Sequence, residues 1–336
     1  MRTSKKLPVA ILMAAPAAAL LLIILSVLYG AKSISAGEIW QSVIHFDTNN
    51  VDHQIIMASR LPRVIGAMLI GAFLAVSGAL MQGMTRNYLA SPSIMGVSDG
   101  SVFTITLCMV FLPNTGSVSF IMMSMIGSAL GAGIVFGLAW LIPQGLSPVR
   151  LAILGTIIGT FLNGVSAAVA SYFQISQGVS FWYNARLHQM DPELIKLSIP
   201  FAVVGLGLAF ALSGSVTVLS LGDEVSANLG VRTGLIKGLT MLAVVILTGV
   251  SVALAGKIAF IGLIIPHIAR FLAGVDYRWI IPVSGVLGGL FLAFCDLLSR
   301  FINSPFETPI GVVTALFGVP FFLYLIKTRG GGKQHA

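Results

Sequence analysis

The sequence predicts an all-α polytopic membrane protein, and three observations carry that prediction. Only 9% of the 336 residues are charged while 57% are hydrophobic, against about 25% charged in a soluble domain whose surface must be wetted. Mean hydropathy is +0.98, so lipid has to be the main solvent. The apolar residues gather into runs separated by polar or Gly/Pro-marked breaks, leaving room for about ten stretches of the roughly 20 residues that a spanning helix needs.

The elements follow in order along the chain. Leu7–Tyr29 comes after the basic Arg2, Lys5 and Lys6 and imitates a secretory signal, with Ala31–Ser33 where cleavage would fall. Signal cores run to only about 7–15 apolar residues, so this run reads as the first transmembrane helix. The second, Pro62–Met81, is opened by proline, which suits a first helical turn. Ile94–Phe111 is third, and Pro113, Asn114 and Gly116 break the chain before Ser119–Leu141. Val149–Phe173, Leu194–Leu212 and Leu235–Leu254 continue the series. A shorter eighth run covers Ile258–Phe271, and Ile280–Ser299 is the ninth. The tenth, Pro309–Lys327, is preceded by Thr308 as an N-cap candidate. The expected organisation is one transmembrane domain over residues 1–329 and a disordered tail over 330–336.

Lysine and arginine prefer cytoplasmic loops. With the N-terminus inside, Arg2, Lys5, Lys6, Arg86, Arg150, Arg232, Lys237, Arg270, Arg278, Lys327, Arg329 and Lys333 are cytoplasmic; Lys32, Arg60, Arg63, Arg186, Lys196, Lys257 and Arg300 are outside. The larger group favours this orientation, with both termini cytoplasmic. The net charge of +8 is therefore topological. The basic residues form no stripe of the kind nucleic acid needs.

Glycine is abundant, with 37 residues. Lipid does not drive helices together, so close backbone packing must. Ala67, Gly71, Ala75 and Ala79 make a small-residue ridge on the second helix, and Gly127/Gly131 and Gly155/Gly159 repeat the spacing. These stripes imply a bundle rather than an activity.

Chemistry-bearing residues are few. Cys108 and Cys295 lie in apolar runs as small buried hydrophobes. No HExxH or His–Asp–Glu cluster offers a metal cage, and no Walker A sequence exists, since Ala255-Gly256-Lys257-Ile258 lacks both the upstream glycine and the hydroxyl residue. If ATP drives this protein, a partner holds it. Asp99 and Asp296 are the intramembrane acids, and such groups are functional candidates by default. Asp99 either lines a wet cavity or sits near the interface. Asp296 stands four residues before Arg300, the spacing of a local ion pair. Lys257 sits in a turn within reach of the interface, and His267 reads as a packing residue.

Two polar segments stand out. Ser220–Val231 holds Leu221, Gly222, Asp223, Glu224, Ala227, Leu229 and Gly230. Gly222 and Gly230 bracket a short helix, which reads either as an ordinary amphipathic loop helix or as a lever docking into a cytoplasmic motor subunit. At the other end, Arg60, Arg63 and Arg300 read either as snorkelling residues or as a docking surface for an acidic partner.

Taken together, several segments resemble the iron-chelate and vitamin B12 class of ABC importer permeases, the FecCD-type family. These are Ser59–Arg63, Ser77–Gln82, Thr85–Pro92, Met95–Ser98, Leu221–Val231, Val252–Gly256, Phe260–His267 and Glu307–Gly311. The likeness covers essentially the whole chain and is greatest to Gram-positive permeases for ferric catecholates of the bacillibactin type. It implies a type II importer with a dimeric permease core in the cell membrane. The second permease subunit would be a paralogue, giving a heterodimer. Two cytoplasmic ATPase subunits would carry ATP and magnesium, with no cofactor on this chain. A siderophore-binding lipoprotein would dock outside at Arg60, Arg63 and Arg300, and the Leu221–Val231 segment would seat in the ATPase. Cytoplasmic gates would fall at Asn87–Leu89 and at Ser147–Pro148, where Tyr88 and Pro148 depart from the family pattern.

The implied function is import of ferric siderophore driven by ATP hydrolysis on separate subunits, with no catalytic residue on this chain. Vitamin B12 or haem as cargo keeps the same architecture. An ion-coupled secondary transporter would need ionisable sites near the midplane, and only Asp99 tempts. An intramembrane enzyme would need a nucleophile–base pair or metal triad, which the sequence does not offer.

Overall fold

The computed structural model describes residues 6–30, 32, 34–93, 95–142, 148–183, 187, 190, 192–303 and 306–330. Every regular element among them is helical. In chain order these are α1 (Lys6–Leu28), α2 (Ala36–Ile44), α3 (Val51–Gln54), α4 (Leu61–Thr85), α5 (Val97–Phe111), α6 (Ser117–Leu141) and α7 (Pro148–Tyr172). There follow α8 (Ser176–Tyr183), α9 (Pro192–Leu219), α10 (Asp223–Asn228), α11 (Thr233–Ala255), α12 (Ile261–Ala273), α13 (Tyr277–Ile302) and α14 (Ile310–Gly330). Among the described residues seven helical segments are long and apolar enough to cross a membrane, and α5, α12 and much of α14 form shorter apolar helices. The tail 331–336, Ala31, Ser33 and Arg186 lie outside the described residues.

The core is built on α4, whose long face packs against α13, α11 and α12, with α5 and α6 paired beside it. Glycine makes these approaches possible. A Cβ at Gly78 would fall into the Gly262 backbone, and one at Gly71 into that of Gly288. Gly127 and Gly131 meet Gly100 and Gly96 across the α5–α6 contact. The small-residue stripes are thus helix seams. Gly78→Val should therefore remove most of the folded chain, as overpacked backbone contacts cannot relax by rotamer change. Detergent extraction followed by size-exclusion chromatography checks this; a monodisperse peak of normal yield would refute it.

Two local readings need correction. Pro62 does not open the second helix, because the chain is already helical from Val51. Ile55–Arg60 is a π-helical stretch, and the Leu61 N–H reaches back to the Ile56 carbonyl. A proline ring clashes with the carbonyl four residues earlier and supplies no N–H; the wider π turn absorbs both defects. The expected cap at Thr308 does not form either. The Pro309 carbonyl accepts from Val312 N–H at 2.9 Å, while Thr308 N–H is drawn to the Ser299 carbonyl at 3.0 Å. The Thr308 hydroxyl is left buried without a partner.

Candidate functional site

Most of the sequence-flagged residues collect at the two ends of the bundle, with Asp99 and Lys257 between them. One end carries the C-terminus of α1, the N-terminal part of α4 and the C-terminus of α13. The last carbonyls of α1 have no partner within their own helix and carry the negative end of its dipole. Arginine meets them. Arg60 donates from Nη1 to the Val27 carbonyl at 2.5 Å and the Leu28 carbonyl at 3.3 Å, and from Nη2 to the Lys32 carbonyl. Arg300 donates to the Ser26 carbonyl at 2.7 Å and the Tyr29 carbonyl at 3.1 Å.

Asp296 sits beneath, 1% exposed, between two guanidiniums. The expected Asp296–Arg300 pair is present at 2.5 Å. It is not a local pair alone, because Arg63 from α4 also reaches Asp296 at 2.8 Å and Glu307 at 2.7 Å. Arg60, Arg63 and Arg300 are only 7%, 8% and 8% exposed. Two of the three therefore staple α1 to α4 and α13, and Arg63 joins α4 to α13, instead of standing free on the surface. Buried arginine in this bundle costs too much to leave unpaired, which is why the guanidiniums turn inward.

The other end gathers the C-termini of α4 and α9, the N-terminus of α11, and α10 between them. Gly222 and Gly230 bracket α10 with φ of +122° and +79°, a conformation costly for residues with a Cβ. Six residues cannot hold a helix by themselves, so side chains fasten it. Ser226 donates to the Gly222 carbonyl at 2.6 Å and contacts the Val218 carbonyl at 2.9 Å. Asp223 pairs with Lys237 at 2.9 Å and faces Arg86 at 3.9 Å. Outward apolar side chains are Leu221 at 61% and Leu229 at 63% exposed, which flank α10, and Val225 on it, beside Ala227 and the exposed polar Glu224 and Asn228. Behind Asp223 lies a cavity of about 250 Å³ lined by Met84, Arg86, Phe136, Leu151, Lys237 and Met241 among others.

The Asn87–Leu89 loop leaves α4 at this same end, after Arg86 in a left-handed conformation. The Asn87 side chain accepts the Leu89 N–H at 2.9 Å, closing a tight turn. Tyr88 lies under the Arg270 guanidinium, 4.1 Å from its ring centroid, and meets His267 edge-on. Arg270 also donates to the Tyr277 hydroxyl at 2.7 Å. This cluster ties the loop to α12 and α13, and the sequence analysis missed it. Tyr88 was visible only as a departure from the family pattern. Pro148 starts α7 at this end, and Ser147 lies outside the described residues. Arg270→Gln should loosen the loop through loss of the cation–π contact, worth about 0.5–2 kcal/mol. Faster protease cleavage near Tyr88 checks this, and an unchanged cleavage pattern would oppose it.

Asp99 and Lys257, read separately in the sequence, come together. Lys257 pairs with the Asp99 carboxylate at 2.5 Å, and Asn163 on α7 donates to the same oxygen at 2.8 Å. Among the described residues no group of three or more His, Cys, Asp or Glu side chains is arranged to hold a metal ion.

The FecCD transport family model matches residues 18–328. The chain is 61% identical to the iron-uptake system permease protein FeuB of Bacillus subtilis strain 168, over 96% of this chain and 97% of that protein. It is 49% identical to the iron(3+)-hydroxamate import system permease protein FhuB of the same organism, over 92% of this chain and 80% of that one. Among solved structures, an inward-facing metal-chelate type ABC transporter superposes with a TM-score of 0.82 at 25% identity, over 95% of this chain and 99% of that chain.

Proposed function

The chain belongs to the FecCD transport family, and from that premise we propose that it is the membrane-spanning permease subunit of an ATP-driven importer of ferric siderophores. It is a multi-pass transport component and not an enzyme. The observation that carries the reading is the near-full-length likeness to permeases named for iron uptake. The geometry supports it by separating two kinds of surface. The 25 residues of α4 put about 37 Å between the arginine end and the α10 end, roughly the span of a bilayer.

At the α10 end the exposed Leu221, Val225 and Leu229 make an apolar knob that suits a groove on a cytoplasmic ATPase subunit. Hydrolysis, with ATP and magnesium, then belongs to two such partners. Closing them moves α10, and through Asp223, Lys237 and Arg86 the ends of α11 and α4. That movement shifts the bundle between outward- and inward-facing populations. Asn87, Leu89, Ser147 and Pro148 are assigned to the gate at that end. Asp223→Lys would set three cations together and should lower uptake at least about five-fold, since like charges at this range repel. Normal uptake by that variant would count against the lever.

At the arginine end a siderophore-binding lipoprotein is assigned to dock. Arg60, Arg63 and Arg300 act there by shaping and holding the surface, since their own donors are committed to α1, Asp296 and Glu307. Lys32 and Glu307 are partly exposed there and open to contact. A second permease subunit, read as a paralogue, covers the outward face of α7.

The cargo is read as a ferric catecholate, with vitamin B12 or haem the other candidates for this architecture. Uptake of radiolabelled iron as catecholate, hydroxamate and citrate chelates, beside cobalamin, in a deletion strain and its complemented control tests this. Loss of catecholate uptake alone is expected. Intact iron uptake with lost cobalamin or haem uptake would overturn the cargo.

A further inference from the structure

Asp99, Lys257 and Asn163 sit where charge is most costly and where neither the docking end nor the α10 end uses them. The 13 residues of α12 rise about 20 Å, short of the roughly 30 Å apolar slab. The chain turns at 274–276 into α13, which is long enough to span, so that turn lies at a boundary and α12 begins inside the slab. Lys257 is in the 256–260 segment just before it. This broken crossing is marked by left-handed backbone at Gly256 (φ +73°) and Phe260 (φ +70°). The 15 residues of α5 likewise rise only about 22 Å. Asp99 lies in the first turn of α5, beyond a loop whose Ala90, Ser91 and Met95 are buried. Two short helices that both begin within the slab, with an acid and a base between them, are the arrangement that marks functional positions in transporters.

The packing shows what the pair holds. Asp99 is 4% exposed. One carboxylate oxygen takes both Lys257 at 2.5 Å and Asn163 at 2.8 Å. The other lies against Gly159 of α7, where any Cβ would overlap it. α7 packs mainly on α5 and α6, and this carboxylate is a polar link from it to the second half of the bundle. On the opposite face of α7, Ile153, Ile157 and Phe161 are exposed, uncovered by the chain itself.

We propose that Asp99, Lys257 and Asn163 are a positioning unit for transport, an intramembrane ion pair that holds α7 in register with the broken crossing between α11 and α12. The pair lets a movement begun at α11 carry α7 and its uncovered face along. This rests on the transport reading above.

The test uses the complete transporter, with its ATPase subunits and binding protein, in proteoliposomes. Wild-type chelate transport is measured first, and its absence would refute the transport reading rather than the pair. Chelate moved per ATP hydrolysed, per assembled transporter, is then compared for Lys257→Met, Asp99→Asn, the double variant, and the swap Asp99→Lys/Lys257→Asp. Each single strands a charge or its partner, so a drop of about ten-fold or more in chelate per ATP is expected. The swap should recover to within about three-fold of wild type, because it restores the pair with no buried charge left alone, whereas the double, which has no pair to carry the movement, should stay at least about ten-fold down. A coupling ratio does not follow the amount of folded protein, so a merely structural role leaves it unchanged. Singles with the wild-type ratio overturn the proposal, and so does a double that couples like wild type. If the singles do not assemble, the swap decides: recovery supports the pair, and an assembled swap that hydrolyses ATP without transport overturns it.

Discussion

Asp296→Ala will cost the fold about 3–5 kcal/mol, the usual consequence of removing one partner from a buried ion pair. The carboxylate is shared by Arg63 and Arg300 at 2.8 Å and 2.5 Å, so its loss brings two buried guanidiniums together with nothing between them. Glu307 remains for Arg63, and the Ser26 carbonyl and hydroxyl remain for Arg300. Those contacts keep some of the attachment of α4 and α13 but leave the repulsion. The expected result is a marked fall in thermal stability and in yield, with Asp296→Asn intermediate because the amide still accepts hydrogen bonds. Thermal unfolding in detergent measures it. An Asp296→Ala protein as stable as wild type would mean the cluster is hydrated and not a staple. The same logic applies to Arg63→Glu. It would place three acids together in place of a paired set, so loss of folded protein is expected before any docking can be scored.

Leu221→Asp combined with Leu229→Asp will abolish most uptake while leaving the bundle folded. Both side chains are over 60% exposed, at 61% and 63%, and neither supports α10, which is held by Ser226 and Asp223. Their burial in a partner would contribute about 1.5–3 kcal/mol each, and a carboxylate in the same groove adds a desolvation penalty. Uptake should fall about 100-fold or more, the equivalent of some 3 kcal/mol. Co-purification of the ATPase subunit should fall with it, at unchanged thermal stability of the permease. Retained ATPase binding would remove α10 from the coupling role.

The spanning helices were legible because composition, run length and Gly/Pro breaks are local signals, and lipid leaves few alternatives to helix. The short helix α10 was legible for the same reason, since Gly222 and Gly230 announce their backbone. Arg60, Arg63 and Arg300 were found, but their burial was not legible. Arginine near the end of a spanning run looks like a surface residue, and nothing local shows that Arg63 will meet Asp296 more than 200 positions away or that the α1 carbonyls need donors. The Asp99–Lys257 pair was invisible as a pair for the same reason: each residue was noted, but only the fold brings α5 to the turn before α12. The π stretch before Pro62 was missed because a proline near an apparent start ordinarily marks the first turn. Here the preceding Val51–Arg60 segment is polar enough to read as loop, and the helix continues through it.

The measurement that bears most directly on the whole account is chelate accumulation in proteoliposomes holding this chain with its second permease subunit, the ATPase subunits and the binding protein. The account predicts that ferric siderophore accumulates only with ATP and magnesium on the α10 side, and that ionophores collapsing proton and sodium gradients leave the rate unchanged. Accumulation that follows an ion gradient and ignores ATP would contradict it.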